Sequence, residues 1–208
     1  MKRIIALLLV FITLLTFTAC GKDKKKEEEE TKTERYVYVK MTVAEYGDII
    51  LKLDSKEAPK TVENFVKLVN EGFYNGLTFH RVIDGFMIQG GDPKADGTGG
   101  SSQKIVGEFS ANGYNNSIKH KRGVISMARS NAYNSASSQF FIMHDTATHL
   151  DGNYAAFGWV ISGMDVVDAI VDNTAYYGDQ SGKISNKSMQ AVISEMKVIT
   201  KEEATKVN

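Results

Sequence analysis

The chain has 208 residues, 42% hydrophobic and 24% charged, a composition that suits a globular protein with apolar matter for one substantial core. Its 25 basic and 25 acidic residues cancel, so no cationic excess exists to release counterions from phosphates, and nucleic acid is not an expected partner. A single cysteine excludes an intramolecular disulfide, and two prolines with 18 glycines favour a β-rich domain with tight turns over a Pro-rich disordered chain.

Lys2 and Arg3 precede an apolar run over 4–17, too short to span a bilayer comfortably and suited to the apolar stretch of a signal peptide over 1–19. Phe17-Thr18-Ala19-Cys20 resembles the bacterial lipobox, with Phe17 where Leu is usual. Cys20 is therefore expected to be lipidated and to anchor the chain on the extracytoplasmic side of the bacterial cell membrane. Residues 21–35, GKDKKKEEEETKTER, contain no apolar side chain to repay the entropy of ordering, so 20–35 reads as the lipidated Cys and a charged flexible linker.

Tyr36 to Val43 and Asp48 to Leu53 carry β-branched, aromatic and apolar residues in partial alternation around Glu45-Tyr46-Gly47-Asp48. That predicts a hairpin opening a domain over 36–202, with 203–208 as a tail. Glu57 to Asn70 spaces Val62, Phe65, Val66 and Val69 as on a helix, with Pro59 near its start and Gly72 just past its end. The stripe reads as a face covering an open end of a sheet.

Leu77 to Gly91, LTFHRVIDGFMIQGG, holds the sharpest conflict with simple burial. Leu77, Phe79, Arg81 and Ile83 would share one face of a strand, which puts a cation into an apolar series. Asp84-Gly85 supplies a turn, and Phe86-Met87-Ile88 then runs into the amide of Gln89 and a glycine pair. On these residues alone the hairpin either carries chemistry or is a core hairpin whose arginine snorkels to solvent.

Residues 90–102, GGDPKADGTGGSS, lack the Walker lysine and a strand-to-helix context, so they read as a loop walling a groove and not as a phosphate cradle. Val124–Ala128, Gln139–Met143 and Tyr154–Ile161 read as short strands, with the polar RSNAYNSASS between the first two as a surface loop. Met164 to Asp172 reads as a second helix on Val166, Val167, Ile170 and Val171; 173–188 is polar and irregular; Ala191 to Thr200 alternates as a closing strand. The order predicts a mainly β fold, a closed antiparallel β-barrel of about eight strands capped by two helices.

FHRVIDGFMIQGGD at 79–92, GTGG at 97–100, SQFFI at 138–142 and LDGNYAAFG at 150–158 together resemble, in order, blocks of the cyclophilin family of peptidyl-prolyl isomerases, across most of 37–200. The resemblance implies a cyclophilin-like barrel that catalyses rotation about the amide before proline, which requires no nucleophile, metal or cofactor. It implies Arg81 as the catalytic donor and Phe86, Met87, Phe141 and Leu150 as the socket for the proline ring. Gln89, Gln139, Gly97, Ala128 and the main chain at Arg129 would contact the substrate backbone. His149 and Tyr154 stand where eukaryotic members often have Trp and His, and Tyr154 keeps an aromatic body with a polar tip. Replacing that Trp by His149 implies weak inhibition by cyclosporin. Arg129 stands where many eukaryotic members have Asn, and the loop after it is longer than theirs, as in bacterial members. The implied partners are proline-containing segments of unfolded or exported proteins, bound by a monomer held to the membrane through its lipid.

Rival chemistry is poorly served. His80, His120, His144 and His149 lack metal-ligand spacing, and no GxSxG elbow accompanies the many Ser, His and Asp residues. A non-catalytic peptide-binding module or holdase chaperone on the same fold is the other reading, and turnover is what separates it from an enzyme.

Overall fold

The computed structural model describes residues 34–206, so the expected signal peptide, Cys20 and all but the end of the expected linker lie outside the described residues. β1 (Tyr36–Val43) and β2 (Gly47–Asp54) form the opening hairpin, in register from Tyr36 opposite Asp54 to Val43 opposite Gly47. α1 (Pro59–Asn70) starts at its proline, whose missing N–H is no loss in a first turn. The next two N–H groups are satisfied from far away, since the buried Glu108 carboxylate accepts from Lys60 at 3.0 Å and Thr61 at 2.8 Å. There follow β3 (Arg81–Ile83), β4 (Met87–Gly90), β5 (Val124–Met127), β6 (Phe140–Met143), β7 (Ala156–Ser162), α2 (Met164–Thr174), β8 (Ile193–Ile199) and α3 (Lys201–Thr205).

All eight strands lie in one antiparallel sheet, ordered β3-β4-β6-β5-β7-β2-β1-β8. The mainly β architecture matches the expectation, whereas the closed barrel is corrected to an open, curled sheet. The edge strands β3 and β8 share no ladder among the described residues. The segments just ahead of them meet at a single bridge, Thr78 with Val192. There Phe79 N–H donates to Ala191 O at 2.9 Å and Ile193 N–H to Leu77 O at 2.8 Å. From Arg81 onward the outer edge of β3 is taken by the turn at 178–184, where Val82 N–H donates to Gly182 O and Ile184 N–H to His80 O. An edge already paired with a turn cannot also close onto β8.

That change of neighbour also resolves the conflict at Arg81. Residues 77–79 belong to the bridge, and β3 begins only at Arg81, so the apolar series never forms one strand. Phe79 is fully buried with its ring 6.1 Å from Phe140, and Arg81 is only partly buried. At the other end the structure adds α3 to the two expected helices. Thr200 and Glu203 close a capping box and Ala204 is buried against Tyr38 and Ile50, so the fold runs past the boundary expected at residue 202.

β6 separates two apolar clusters. Phe140 and Ile142 face the main core with Phe65, Phe157, and the stripes of α1 and α2. Phe141 and Met143 point to the opposite face, as the two-residue period of a strand requires, and join Met87, Leu150 and Ala156 in a smaller cluster. The candidate site stands on the smaller one.

Candidate active site

Strand register builds the floor of the site. Arg81 lies opposite Gln89, Gln89 opposite Phe141, and Phe141 opposite Ser126, so these four side chains share one face of β3, β4, β6 and β5. A cavity of about 140 Å³ opens over Arg81, Gln89 and Phe141 of this row. Phe86, Met87, Phe141 and Leu150 form its apolar wall, and Arg81, Gln89, Ala128, Arg129 and Tyr154 complete it. Tyr154 meets the Phe141 ring edge-on at 5.8 Å. Cavities of about 520 and 790 Å³ lie elsewhere, and neither contains any residue of this row.

The Arg81 guanidinium is held from two sides. Nε donates to Ser181 O at 2.7 Å, and Nη1 donates to Gln89 Oε1 at 3.3 Å and lies 3.9 Å from Met87 Sδ. Nη2 makes no hydrogen bond among the described residues. Burial lowers the guanidinium pKa, opposed by Tyr154 and Asp179, and an arginine so placed still keeps its proton at working pH. Beyond Arg81 the polar groups form a directed chain: Gln89 Nε2 donates to Gln139 Oε1 at 2.9 Å, and Gln139 Nε2 donates to Gly97 O at 3.1 Å and Gly99 O at 2.7 Å. Each amide is thereby oriented by the next, with Gln89 presenting its oxygen to the cation.

Gly97 and Gln139 line an adjoining cavity of about 500 Å³ that shares Gln89, Ala128 and Arg129 with the first. Its glycine-rich wall is shaped by buried Asp92, which accepts the N–H groups of Lys94 at 2.8 Å, Asp96 at 3.2 Å and Gly97 at 2.6 Å. Burial pushes the Asp92 carboxyl pKa up, and these backbone donors outweigh it and hold the group below the usual range. Gly91 turns the chain into this wall at φ +83, where a Cβ would come within 2.4 Å of Ser138 O.

The site thus gathers nearly every residue that the resemblance implied. Arg129 acts as a brace: its Nε and Nη2 donate to Asn153 O at 3.0 and 2.8 Å, and its guanidinium lies over the Tyr154 ring at 4.6 Å. His149 is exposed, stacked on Phe86 at 5.8 Å, and sits at the rim without lining the cavity.

Two contributors were not legible in the chain. The Ser181 carbonyl comes from the irregular 173–188 segment, where Asp179 Oδ1 accepts from Ser181 N at 2.8 Å, Ser181 Oγ at 2.6 Å and Lys183 N at 3.1 Å and so fixes the turn. The second is a Ser–His–Asp line: His120 Nδ1 is 3.1 Å from Asp151 Oδ1, and Nε2 is 3.0 Å from Ser126 Oγ. Ser126 and His120 are both buried, and the imidazole stacks on Phe141 at 6.0 Å. The hydroxyl therefore faces no substrate, and the line works as a brace behind the socket. Among the described residues no group of three His, Cys, Asp or Glu is placed to hold a metal ion.

A family profile described as cyclophilin type peptidyl-prolyl cis-trans isomerase/CLD matches residues 38–198. The chain is 48% identical over 126 residues to a peptidyl-prolyl cis-trans isomerase of Helicobacter pylori, covering 60% of this chain and 74% of that one. It is 44% identical over 133 residues to peptidyl-prolyl cis-trans isomerase B of Escherichia coli, covering 60% and 79%. A crystal structure of a Cryptosporidium parvum cyclophilin type isomerase in the presence of the dipeptide Ala-Pro superposes with a TM-score of 0.68 at 30% identity, over 78% of this chain and 99% of that one. By profile, sequence and fold, this chain belongs to the family of cyclophilin-type peptidyl-prolyl cis-trans isomerases.

Proposed function

We propose that this isomerase acts on proline-containing segments of exported proteins while anchored outside the cytoplasm through Cys20, with the 140 Å³ cavity as the proline socket and Arg81 as the catalytic donor. The observation that carries the assignment is the guanidinium itself, anchored through Nε and Nη1 beside an apolar wall with Nη2 left unpaired among the described residues.

Amide resonance sets a rotation barrier of about 18–20 kcal/mol. As the bond twists, the prolyl nitrogen leaves conjugation and its lone pair localises. A fixed cationic donor beside that nitrogen stabilises the twisted state more than either planar state. Because Ser181 and Gln89 already hold Arg81, the donor need not reorganise during the step. The apolar wall seats the ring, while Gln89 and Gln139 offer oriented amides to the substrate backbone.

Wild type and Arg81→Ala are compared on a proline tetrapeptide. Loss of one such donor is expected to cost about 10²–10³ in rate, with the thermal midpoint nearly unchanged. A wild type with no rate above background overturns the reading in favour of a peptide-binding module. The apolar run ending at Cys20 and the charged residues after it support the location. Cys20→Ser should move the protein from the membrane to the soluble extracytoplasmic fraction with specific activity kept. A wild type already soluble, or a variant still membrane-bound, defeats the anchor.

A further inference from the structure

The tip of the β3–β4 hairpin carries Phe86, and the segment after β6 holds that tip. Phe86 O accepts the N–H of His144 at 2.9 Å and of Asp145 at 3.3 Å. The His144 ring then makes a second attachment, its Nδ1 accepting the N–H of Gly85 at 3.0 Å. A ring nitrogen that accepts carries no proton, so neutral His144 is the Nε2–H tautomer. Nε2 faces Asp168 Oδ1 of α2 at 3.2 Å. Oδ1 has no hydrogen-bond partner among the described residues, so with the ring neutral this is only a polar contact and the Gly85 bond is the directional one. Arg122 closes the cluster, donating to Asp168 Oδ2 at 2.7 Å and to His144 O at 2.8 Å.

We propose that His144 is a positioning residue for the proline socket: its ring accepts the Gly85 N–H and so holds the Asp84–Gly85 turn, and with it Phe86, against β6 and α2. The inference rests on the reading of Phe86 as a socket wall. His144 Nδ1 also lies 3.5 Å from Asp84 Oδ1 of that turn. The charged groups around it are Asp84 from the turn, Asp168 from α2, Arg122 from ahead of β5, and Asp145 beside it in the chain. The Arg122 hydrogen bond is the main influence holding the Asp168 carboxyl below its ordinary range.

The test follows the Gly85 amide by NMR in the full chain. The amide should be protected from exchange in wild type. His144→Asn, whose side-chain oxygen replaces Nδ1 as an acceptor, should keep the protection and the wild-type KM. His144→Ala should lose the protection and raise KM for a proline peptide about two- to tenfold with kcat little changed, the worth of one hydrogen bond. A Gly85 amide that exchanges freely in wild type overturns the proposal. So does a His144→Ala variant with a protected Gly85 amide and wild-type KM. A wild type without turnover sinks the isomerase reading, and Gly85 protection in wild type and variants still decides this one.

Discussion

Phe140 and Phe141 are neighbours in the chain and opposites in the fold. Phe140 is fully buried, its ring 5.6 Å from Phe65, 5.6 Å from Tyr74 and 6.1 Å from Phe79, on a face covered by α1, α2 and the far strands. Phe141 meets His120 at 6.0 Å and Tyr154 at 5.8 Å, on a face covered by Ile118, Ala147, Leu150 and their loops. Phe65 of α1, Tyr74 of the turn after it and Phe79 enclose Phe140 on the first face, whereas loops leave the cavity beside Phe141 on the second. Two adjacent phenylalanines thus serve stability and binding, and what differs is the element that packs over each.

The largest expected effect splits that pair. Phe140→Ala should cost about 3–5 kcal/mol in urea unfolding, because interlocked rings cannot collapse into the space left. Phe141→Ala should cost roughly half as much, since loops relax more readily than helices, yet lower kcat/KM at least about tenfold through loss of the socket wall. Equal stability losses, or an active Phe141→Ala, would break the comparison.

The next effect concerns the buried histidines on either side of the site. His80 lies beneath the Gly97 wall with neither ring nitrogen hydrogen-bonded, and His120 lies behind Phe141 with both engaged. Burial is the main cause lowering both pKa values, countered in His120 by Asp151. With folded values below the ordinary value of about 6.5, the unfolded chain takes up more protons as pH falls. Their contribution to stability is therefore complete above about pH 6.5 and is lost as pH falls through the folded values. The thermal midpoint should be level near neutrality and fall on acidification, and His80→Gln should flatten that fall. A midpoint that rises between neutrality and mild acid would contradict the burial of both rings.

The smallest effect lies at the rim, where His149 stacks on Phe86 outside the cavity. His149→Trp should raise cyclosporin affinity about tenfold, the worth of one hydrogen bond with added aromatic contact. Catalytic efficiency should change little. Titrating both proteins with the drug during the tetrapeptide assay checks it, and tight inhibition of wild type would remove His149 from the drug's path.

Local pattern carried much of this fold. The β1–β2 hairpin, the α1 stripe with Pro59 at its start, and the α2 stripe are all periodicities of adjacent residues, which is why they are readable without a partner. Arg81 was legible as an anomaly, a cation in an apolar series, and the FHRVIDGFMIQGGD and SQFFI blocks gathered most of the socket. What the chain could not disclose depends on long separations and on atoms every residue possesses. The carbonyl that holds Arg81 lies 100 positions away on Ser181 and has no side-chain signature. His120 meets Asp151 across 31 positions, and nothing in the spacing marks the pair. The sheet remained open for the same reason: whether β3 pairs with β8 or with the 178–184 turn is a competition between main-chain edges, and hydrophobic alternation is blind to its outcome.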